Sequence, residues 1–282
     1  MDHQCVGLPG AFNGLVARAV AQAGFSGCYV SGAAVSASFG VPDVGMLTLN
    51  EFTSVVRQVA MGGGLPVIAD ADTGFGESEM AVRTVHEYNR AGAAGLHLED
   101  QVFPKRCGHL DGKSLVKADH MVEKIAAASR AAIACSDGAF IVCARTDARG
   151  VESFESAVDR ARAYVEAGAS MIFPEGLASA EEFARFASQV RRGGQRTPYL
   201  LANMTEFGKT PIIPLSEFHA MGYSCVIWPV TTLRAAMGEV TRILNDLKRD
   251  GHVESFLGRV QSRKDLYGLL GYTPGTEWAW PS

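Results

Sequence analysis

Two aspartates one residue apart, Asp70-Ala71-Asp72, open a glycine-bearing stretch, Thr73-Gly74-Phe75-Gly76, and a second acid pair follows at Glu99-Asp100. Oxygen donors at this density, with no His or Cys pair beside them, select a hard divalent cation, magnesium or manganese, over zinc. Taken singly, each acid could equally cap a helix or pair with a loop cation. Arg145, in Arg145-Thr146-Asp147, has two readings. It can neutralise those acids, or its planar fork can grip a substrate carboxylate. The segment Lys105-Arg106-Cys107-Gly108-His109 holds the one cysteine of six that sits in a polar, cationic, glycine-containing setting. Adjacent positive charge lowers a thiol's pKa, and a long connection of this kind suits a lid that closes over a substrate. Cys107 is therefore a candidate proton-transfer residue, with an accidental surface cysteine as the plainer alternative. His97 alternates with Leu96 and Leu98 and reads as a barrel-interior residue rather than a base.

These residues need a frame, and the chain supplies a regular one. Eight β-rich runs, near residues 4–8, 27–31, 65–70, 95–99, 139–144, 170–174, 198–203 and 224–228, alternate with stretches of helical periodicity such as 155–165. Ala23-Gly24, Ala91-Gly92, Ala167-Gly168 and Met221-Gly222 each place a glycine where a helix must end before the next strand. Two further helical segments, about 231–247 and 252–269, follow the last strand. Strict alternation predicts a parallel sheet closed into a (β/α)8 TIM-type barrel, one domain over residues 1–282 with a C-terminal helical segment at about 231–272. An open doubly wound sheet is disfavoured, because no strand opens a Gly-x-Gly-x-x-Gly turn and no Walker-type loop is present.

In such barrels the active site lies at the carboxyl ends of the strands. Reading those ends in order gives Tyr29-Val30-Ser31-Gly32, Asp70-Ala71-Asp72, Glu99-Asp100, Arg145-Thr146-Asp147, Pro174-Glu175 and Asn203-Met204-Thr205-Glu206. Acids, an arginine, an amide and hydroxyls thus converge on one rim, while the amino ends carry Gly, Pro, Ala and Ser.

The whole-chain properties exclude other classes. A formal net charge of -4 offers no basic field for nucleic acid, and no Lys/Arg cluster or apolar run suits a membrane. Met1-Asp2-His3-Gln4 does not begin a secretory signal. The cysteines form no C-x-x-C pair; Cys5, Cys28, Cys143 and Cys225 lie in apolar runs and Cys135 follows the apolar face of a helix, which argues for a reducing compartment.

The motif set, in its order, resembles the isocitrate lyase/phosphoenolpyruvate mutase superfamily, and within it the branch that cleaves 2-methylisocitrate. The resemblance runs from Pro9 to about Tyr272 and rests on the segments quoted above, with Ala144-Arg145-Thr146-Asp147-Ala148, Phe173-Pro174-Glu175 and Asn203-Met204-Thr205-Glu206-Phe207-Gly208. It implies a homotetramer of (β/α)8 barrels exchanging a terminal helix, and magnesium-dependent cleavage of 2-methylisocitrate to pyruvate and succinate. Asp70 and Asp72 would hold the metal. Ser31, Gly32 and Ala33 would bind the pyruvate end. Cys107, Gly108 and His109 would come from the closing loop, and Arg145, Glu175, Asn203, Thr205, Arg234 and Arg263 would contact the tricarboxylate. Cys107 would protonate the succinate carbon, and Tyr29 is the candidate to take the hydroxyl proton. Phe173 and Ile227 are the candidate wall for the substrate methyl group. Ala33 and Ala34 stand where many relatives carry glycine, and residues 273–282 match nothing in the family. The compartment expected is the cytoplasm, or the mitochondrial matrix for a eukaryotic chain. The competing readings are an oxaloacetate hydrolase-like or phosphonate-handling relative and, from another class, a catalytically silent scaffold.

Overall fold

A computed structural model describes residues 1, 4–106, 108, 112–192 and 197–279. All eight expected strands are present: β1 (Val6–Pro9), β2 (Cys28–Val30), β3 (Val67–Asp70), β4 (Gly95–Glu99), β5 (Ile141–Thr146), β6 (Met171–Pro174), β7 (Tyr199–Asn203) and β8 (Cys225–Trp228). The helices are α1 (Gly14–Gln22), α2 (Gly32–Ser38), α3 (Leu49–Gly63), α4 (Ser78–Arg90), α5 (Ala118–Ser136), α6 (Ala148–Val151), α7 (Phe154–Glu166), α8 (Ala180–Arg191), α9 (Leu215–Ala220), α10 (Thr231–Asp250) and α11 (Arg263–Leu270).

The strands pair in parallel in the order β1-β8-β7-β6-β5-β4-β3-β2. A parallel bridge between Gly10 and Tyr29, with the Ala11 N–H donating to the Tyr29 carbonyl at 2.8 Å, joins the two ends and makes the (β/α)8 barrel. Because strand side chains alternate, each strand feeds two cores. Leu8, Tyr29, Ile68, Cys143, Met171, Phe173, Leu201, Cys225 and Ile227 fill the barrel interior. A larger apolar layer, including Val30, Leu96, Leu98, Val142, Ile172 and Leu200, packs outward against the helices.

Local chemistry sets where each helix starts and stops. Asn13, Ser153 and Ser179 accept from the third backbone N–H beyond them, capping α1, α7 and α8, while Thr48 and Glu51 form a capping box on α3. Gly24, Gly92, Gly168 and Gly222, the expected helix-ending glycines, take φ of 83°, 93°, 110° and 86°, a region that disfavours any side chain. Cys5, Cys28, Cys143 and Cys225 are buried, as expected of small hydrophobes, and Cys135 is half-buried.

The end of the chain differs from expectation in one respect. The segment read as a helix over 252–269 is a 3-10 turn at Glu254–Arg259 followed, after a break, by α11. Ser262 forces the break, because its hydroxyl accepts from the Asp265 N–H at 3.1 Å and starts a new helix. α10 buries none of its residues within the chain, although Leu233, Met237, Val240, Leu244 and Leu247 form an apolar stripe at spacings of four and three. Among the described residues, no helix is long and apolar enough to cross a membrane.

Candidate active site

The rim at the carboxyl ends of the strands carries the expected residues. Asp70 ends β3, and its Oδ2 accepts from the Gly32 N–H at 3.0 Å. Asp72 follows in the left-handed region, φ 46°, with its N–H donating to Asp70 Oδ1 at 3.0 Å. A Cβ added to Gly32 would meet Asp70 Oδ2 at 2.7 Å and Asp72 Oδ1 at 3.3 Å, so the two carboxylates converge on one small space that only glycine leaves open. Gly32, expected to bind substrate, thus also serves to orient Asp70. Ser31 caps α2, with its hydroxyl accepting from the Ala34 N–H at 3.4 Å.

Burial works against both carboxylates. His97, Lys105, Arg145 and the Asp72 N–H together hold Asp70 below the ordinary carboxylate range. Asp72 is pushed up to about 7 by burial and by Asp70 and Asp43, against the opposing pull of Lys105. Glu99, at the end of β4, is fully buried, and among the described residues neither carboxylate oxygen has a hydrogen-bond donor; its ionic neighbour is Arg145 at 3.1 Å. Burial raises its pKa well above the usual range. Converging acids with a buried carboxylate behind them, whose oxygens accept no hydrogen bond among the described residues, fit a hard cation by the chemistry of the donors. Among the described residues, however, no three acid, histidine or cysteine side chains already close on a common point.

Asp100, read from sequence as part of this acid cluster, faces the other way. It accepts from the Thr146 hydroxyl (2.7 Å), the Tyr164 hydroxyl (2.8 Å) and the Asp147 N–H (3.0 Å), with Arg160 at 3.4 Å, all outside the barrel. Alternation explains this, since Glu99 points inward and its neighbour must point out.

Arg145 realises both of its readings at once. Its Nε and Nη2 donate to Asp147 at 3.0 and 3.2 Å, Nη1 meets Glu99, Glu175 lies at 3.6 Å, and the guanidinium sits 5.2 Å over the Phe173 ring. It also lines a cavity of about 80 Å³ with Tyr29, Ser31, Ala33, Asp70, Gly108, Phe173, Glu175, Asn203, Thr205, Ile227 and Arg234. Glu175 accepts from Asn203 Nδ2 at 3.1 Å and from the Gly176 N–H at 3.0 Å. Gly108 presses onto this pair, because an added Cβ there would stand 2.4 Å from Arg145 Nη2 and 2.6 Å from Glu175 Cγ. Cys107 and His109 lie outside the described residues.

Arg234 lines the cavity, but its guanidinium already binds Glu206 through the carbonyl (2.6 Å) and the carboxylate (2.9 Å). Arg263 does not reach this rim. It begins α11, whose far end is held on α1 by Arg18 and Gln22, because α10 carries the chain away from its own barrel.

Several residues were not assigned from sequence. His97 is completely buried, shares a 2.6 Å hydrogen bond with the Tyr29 hydroxyl through Nε2, and has Asp70 Oδ1 at 3.6 Å. Among the described residues its Nδ1 has no hydrogen-bond partner, and burial lowers its pKa to about 4, so the ring is neutral near pH 7. Burial and then the Asp70 charge hold Tyr29 well above the ordinary phenol range. Lys105, named with its loop but given no role, bridges Asp43 and Asp72. Lys113 bonds both the Gly108 carbonyl and Asp147, the latter at 2.7 Å. The signal for His97 was its in-out alternation with Glu99; the signal for Lys105 was its place two residues before Cys107.

Carboxylates poised for a cation beside a buried arginine, at the open end of a (β/α)8 barrel, define an enzyme of small anionic substrates. A sequence profile of the phosphoenolpyruvate phosphomutase family matches residues 1–248. The chain belongs to this family, the phosphoenolpyruvate mutase/isocitrate lyase superfamily. It is 51% identical over 265 residues to a probable 2-methylisocitrate lyase of Corynebacterium glutamicum, covering 94% of this chain and 84% of that protein. It is 49% identical over 267 residues to a 2-methylisocitrate lyase of Aeropyrum pernix, covering 94% and 82%. Among solved structures, a 2,3-dimethylmalate lyase superposes with a TM-score of 0.88 at 37% identity, covering 95% of this chain and 87% of that one. An oxaloacetate acetylhydrolase bound to 3,3-difluorooxaloacetate gives 0.88 at 34%, covering 95% and 88%. A phosphonopyruvate hydrolase complexed with oxalate and magnesium gives 0.83 at 31%, covering 96% and 91%.

Proposed function

We propose that this protein is a carbon–carbon lyase that cleaves 2-methylisocitrate to pyruvate and succinate. The observation that carries this reading is its identity of about half with 2-methylisocitrate lyases over nearly the whole chain. The segment Lys105-Arg106-Cys107-Gly108-His109 supports it.

Asp70 and Asp72 would hold magnesium, with Glu99 behind them. When bound, magnesium supplies a Lewis acid for the oxygens of the substrate's α-hydroxycarboxylate. The remaining chemistry belongs to side chains of this chain. Arg145, Asn203, Thr205 and Arg234 meet the substrate carboxylates, with Arg234 releasing Glu206 to do so. The hydroxyl proton leaves towards Tyr29, whose own hydrogen bond to His97 gives that proton an exit. The carbon–carbon bond breaks, its electron pair passes to the succinate half, and the hydroxyl carbon becomes the pyruvate carbonyl. The Cys107 thiol then donates its proton to the succinate carbon. Arg145 opposes the negative charge that grows on that half in a water-poor site, and Phe173 and Ile227 offer the methyl group an apolar wall.

The assembly belongs to the same proposal. One domain covers the chain, and α10 docks on a second copy within a homotetramer. What supports this is the apolar stripe of α10, whose residues are half-buried or exposed among the described residues. Arg263, absent from its own rim, would then serve a neighbouring one. The cytoplasm, or the matrix in a eukaryotic cell, is the compartment proposed.

A second reading is cleavage of oxaloacetate or 2,3-dimethylmalate, favoured by the equal TM-scores of those two structures. A pyruvate- and acid-release assay across 2-methylisocitrate, isocitrate, 2,3-dimethylmalate, oxaloacetate and phosphonopyruvate separates the readings. The highest kcat/KM on 2-methylisocitrate is expected; a higher value on any other member of the panel refutes the assignment.

A further inference from the structure

The segment that bears Asp70 and Asp72 is held from outside the barrel, carbonyl by carbonyl. The Asp70 carbonyl accepts from the Tyr88 hydroxyl of α4 at 2.8 Å. The Ala71 and Asp72 carbonyls accept from the N–H groups of Gly74 (2.7 Å) and Glu99 (2.9 Å). The Thr73 carbonyl accepts from Lys124 Nζ of α5 at 2.5 Å, while the Thr84 hydroxyl of α4 gives its one proton to the Met80 carbonyl at 2.8 Å and only lies 3.3 Å from the Gly74 carbonyl. Four consecutive carbonyls are therefore pinned, two of them by side chains, Tyr88 and Lys124, from helices that never touch the substrate cavity. The restraint has something to hold, because Asp72 and Phe75 both sit at positive φ, 46° and 58°.

Lys124 is the more informative of the two. Its side chain is buried, with the residue 5% exposed, and its ammonium finds only the Thr73 carbonyl as a hydrogen-bond acceptor among the described residues. Burial holds the Lys124 pKa below the ordinary lysine value even though the nearby Glu77 carboxylate favours the ammonium, so keeping a charge here is costly to the fold. The charge is thus better explained by what it does to the loop. Lys124 also lines a separate outer cavity of about 560 Å³ with Thr73, Phe75, Met80 and His120. Water in that cavity can solvate the Thr73 carbonyl if the ammonium is removed, so a substitution there need not unfold the protein.

We infer that Lys124, seconded by Tyr88, is a positioning residue for divalent-cation binding: it fixes the loop that brings Asp72 beside Asp70. This rests on the proposal that these aspartates hold the metal. Outer partners that orient metal ligands typically change affinity by about 10–100-fold when removed.

The test is direct Mn²⁺ binding to the substrate-free protein, read by the loss of the free-ion EPR signal, with Mg²⁺ competition and thermal melting in parallel. Lys124→Met should raise the Mn²⁺ Kd about tenfold or more with an apo melting temperature within a few degrees of wild type. Lys124→Arg, which keeps a cationic donor for the Thr73 carbonyl, should restore most of the affinity. Tyr88→Phe should weaken binding in the same direction, and it remains informative if Lys124→Met does not fold. Wild-type affinity in either Lys124→Met or Tyr88→Phe overturns the inference, as does a Lys124→Arg variant as weak as Lys124→Met. Failure of the wild type itself to bind Mn²⁺ would instead overturn the metal assignment.

Discussion

Lys105 places its ammonium 2.8 Å from Asp72 Oδ1, so the lysine at the root of the cysteine segment and one of the two converging aspartates are a single ion pair. On the proposed closing role of that segment, its position and the charge of the acid site are linked. If Asp70 and Asp72 hold a divalent cation as proposed, that cation meets a site already holding one positive charge, and the Asp72–Lys105 contact must loosen as it binds.

Chelation tests the metal directly. Exhaustive treatment should abolish turnover, magnesium or manganese should restore it, and zinc should not. Asp72→Asn should mimic chelation. Full activity after chelation, measured in metal-stripped buffer, removes the assignment of Asp70 and Asp72.

Cys107→Ser should keep the fold and Mn²⁺ binding but lower kcat by about 10²–10⁴-fold, the usual worth of a positioned acid, because a hydroxyl is a far weaker proton donor than a thiol. A loss smaller than about tenfold would count against the role. Cys28→Ser and Cys225→Ser should instead lower the melting temperature, since both thiols are buried among apolar neighbours.

Gly108→Ala should separate closure from chemistry. Its Cβ would collide with the Arg145 guanidinium and the Glu175 side chain, so the loop must sit further out. A displacement of about an ångström can cost roughly 100-fold in rate, and kcat/KM should fall by something near that. Thermal stability should hold, because the contact is at the rim and not in either core. An unchanged kcat/KM would show that Gly108 does not approach Arg145 and Glu175 during turnover.

The methyl wall is better probed at Ile227 than at Phe173, whose ring also carries the Arg145 guanidinium at 5.2 Å. Wild type should prefer 2-methylisocitrate over isocitrate by roughly 10–200-fold in kcat/KM, the value of one methyl group in an apolar pocket. Ile227→Phe should erode that preference by crowding the methyl. Equal efficiency on the two substrates in the wild type rejects the wall.

His97 should make stability depend on pH. Its folded pKa of about 4 lies below the ordinary imidazole value of 6.5 because the ring is buried. The unfolded chain therefore binds a proton between those values that the folded chain refuses, and stability falls as pH drops through that window. From pH 7.5 to pH 5 the loss attributable to His97 is about 2 kcal/mol. Asp72, raised to about 7, works in the opposite sense: its folded form holds a proton that the unfolded chain has released, so its burden on stability grows between the two pKa values as pH rises. Comparing urea midpoints of wild type and His97→Gln at both pH values isolates the histidine. Equal pH dependence in the two proteins would falsify the assignment.

How much of this was legible in the sequence follows from where the information is local. Strand positions and helix ends were readable because alternation, glycines and capping hydroxyls act within a few residues; Gly168 needs no distant partner to adopt φ 110°. The same locality gave the acids and Arg145 at the strand ends. Asp100 was misassigned although its orientation was available, since Glu99 and Asp100 cannot both face inward across one strand. The Tyr29–His97 contact joins residues 68 apart in sequence through the barrel interior, and no local pattern encodes which interior side chains meet. Arg263 depends on the path of the chain after α10, which the helical periodicity of residues 231–250 does not determine.

The uncovered stripe of α10 has a bearing on every such measurement. If α10 docks on a second copy as proposed, its contribution to stability varies with concentration by mass action. Dilution then acts as a mild denaturant. A melting temperature or urea midpoint for this protein has meaning only alongside the protein concentration at which it was taken, and two variants compared at different concentrations can appear to differ when their folds do not.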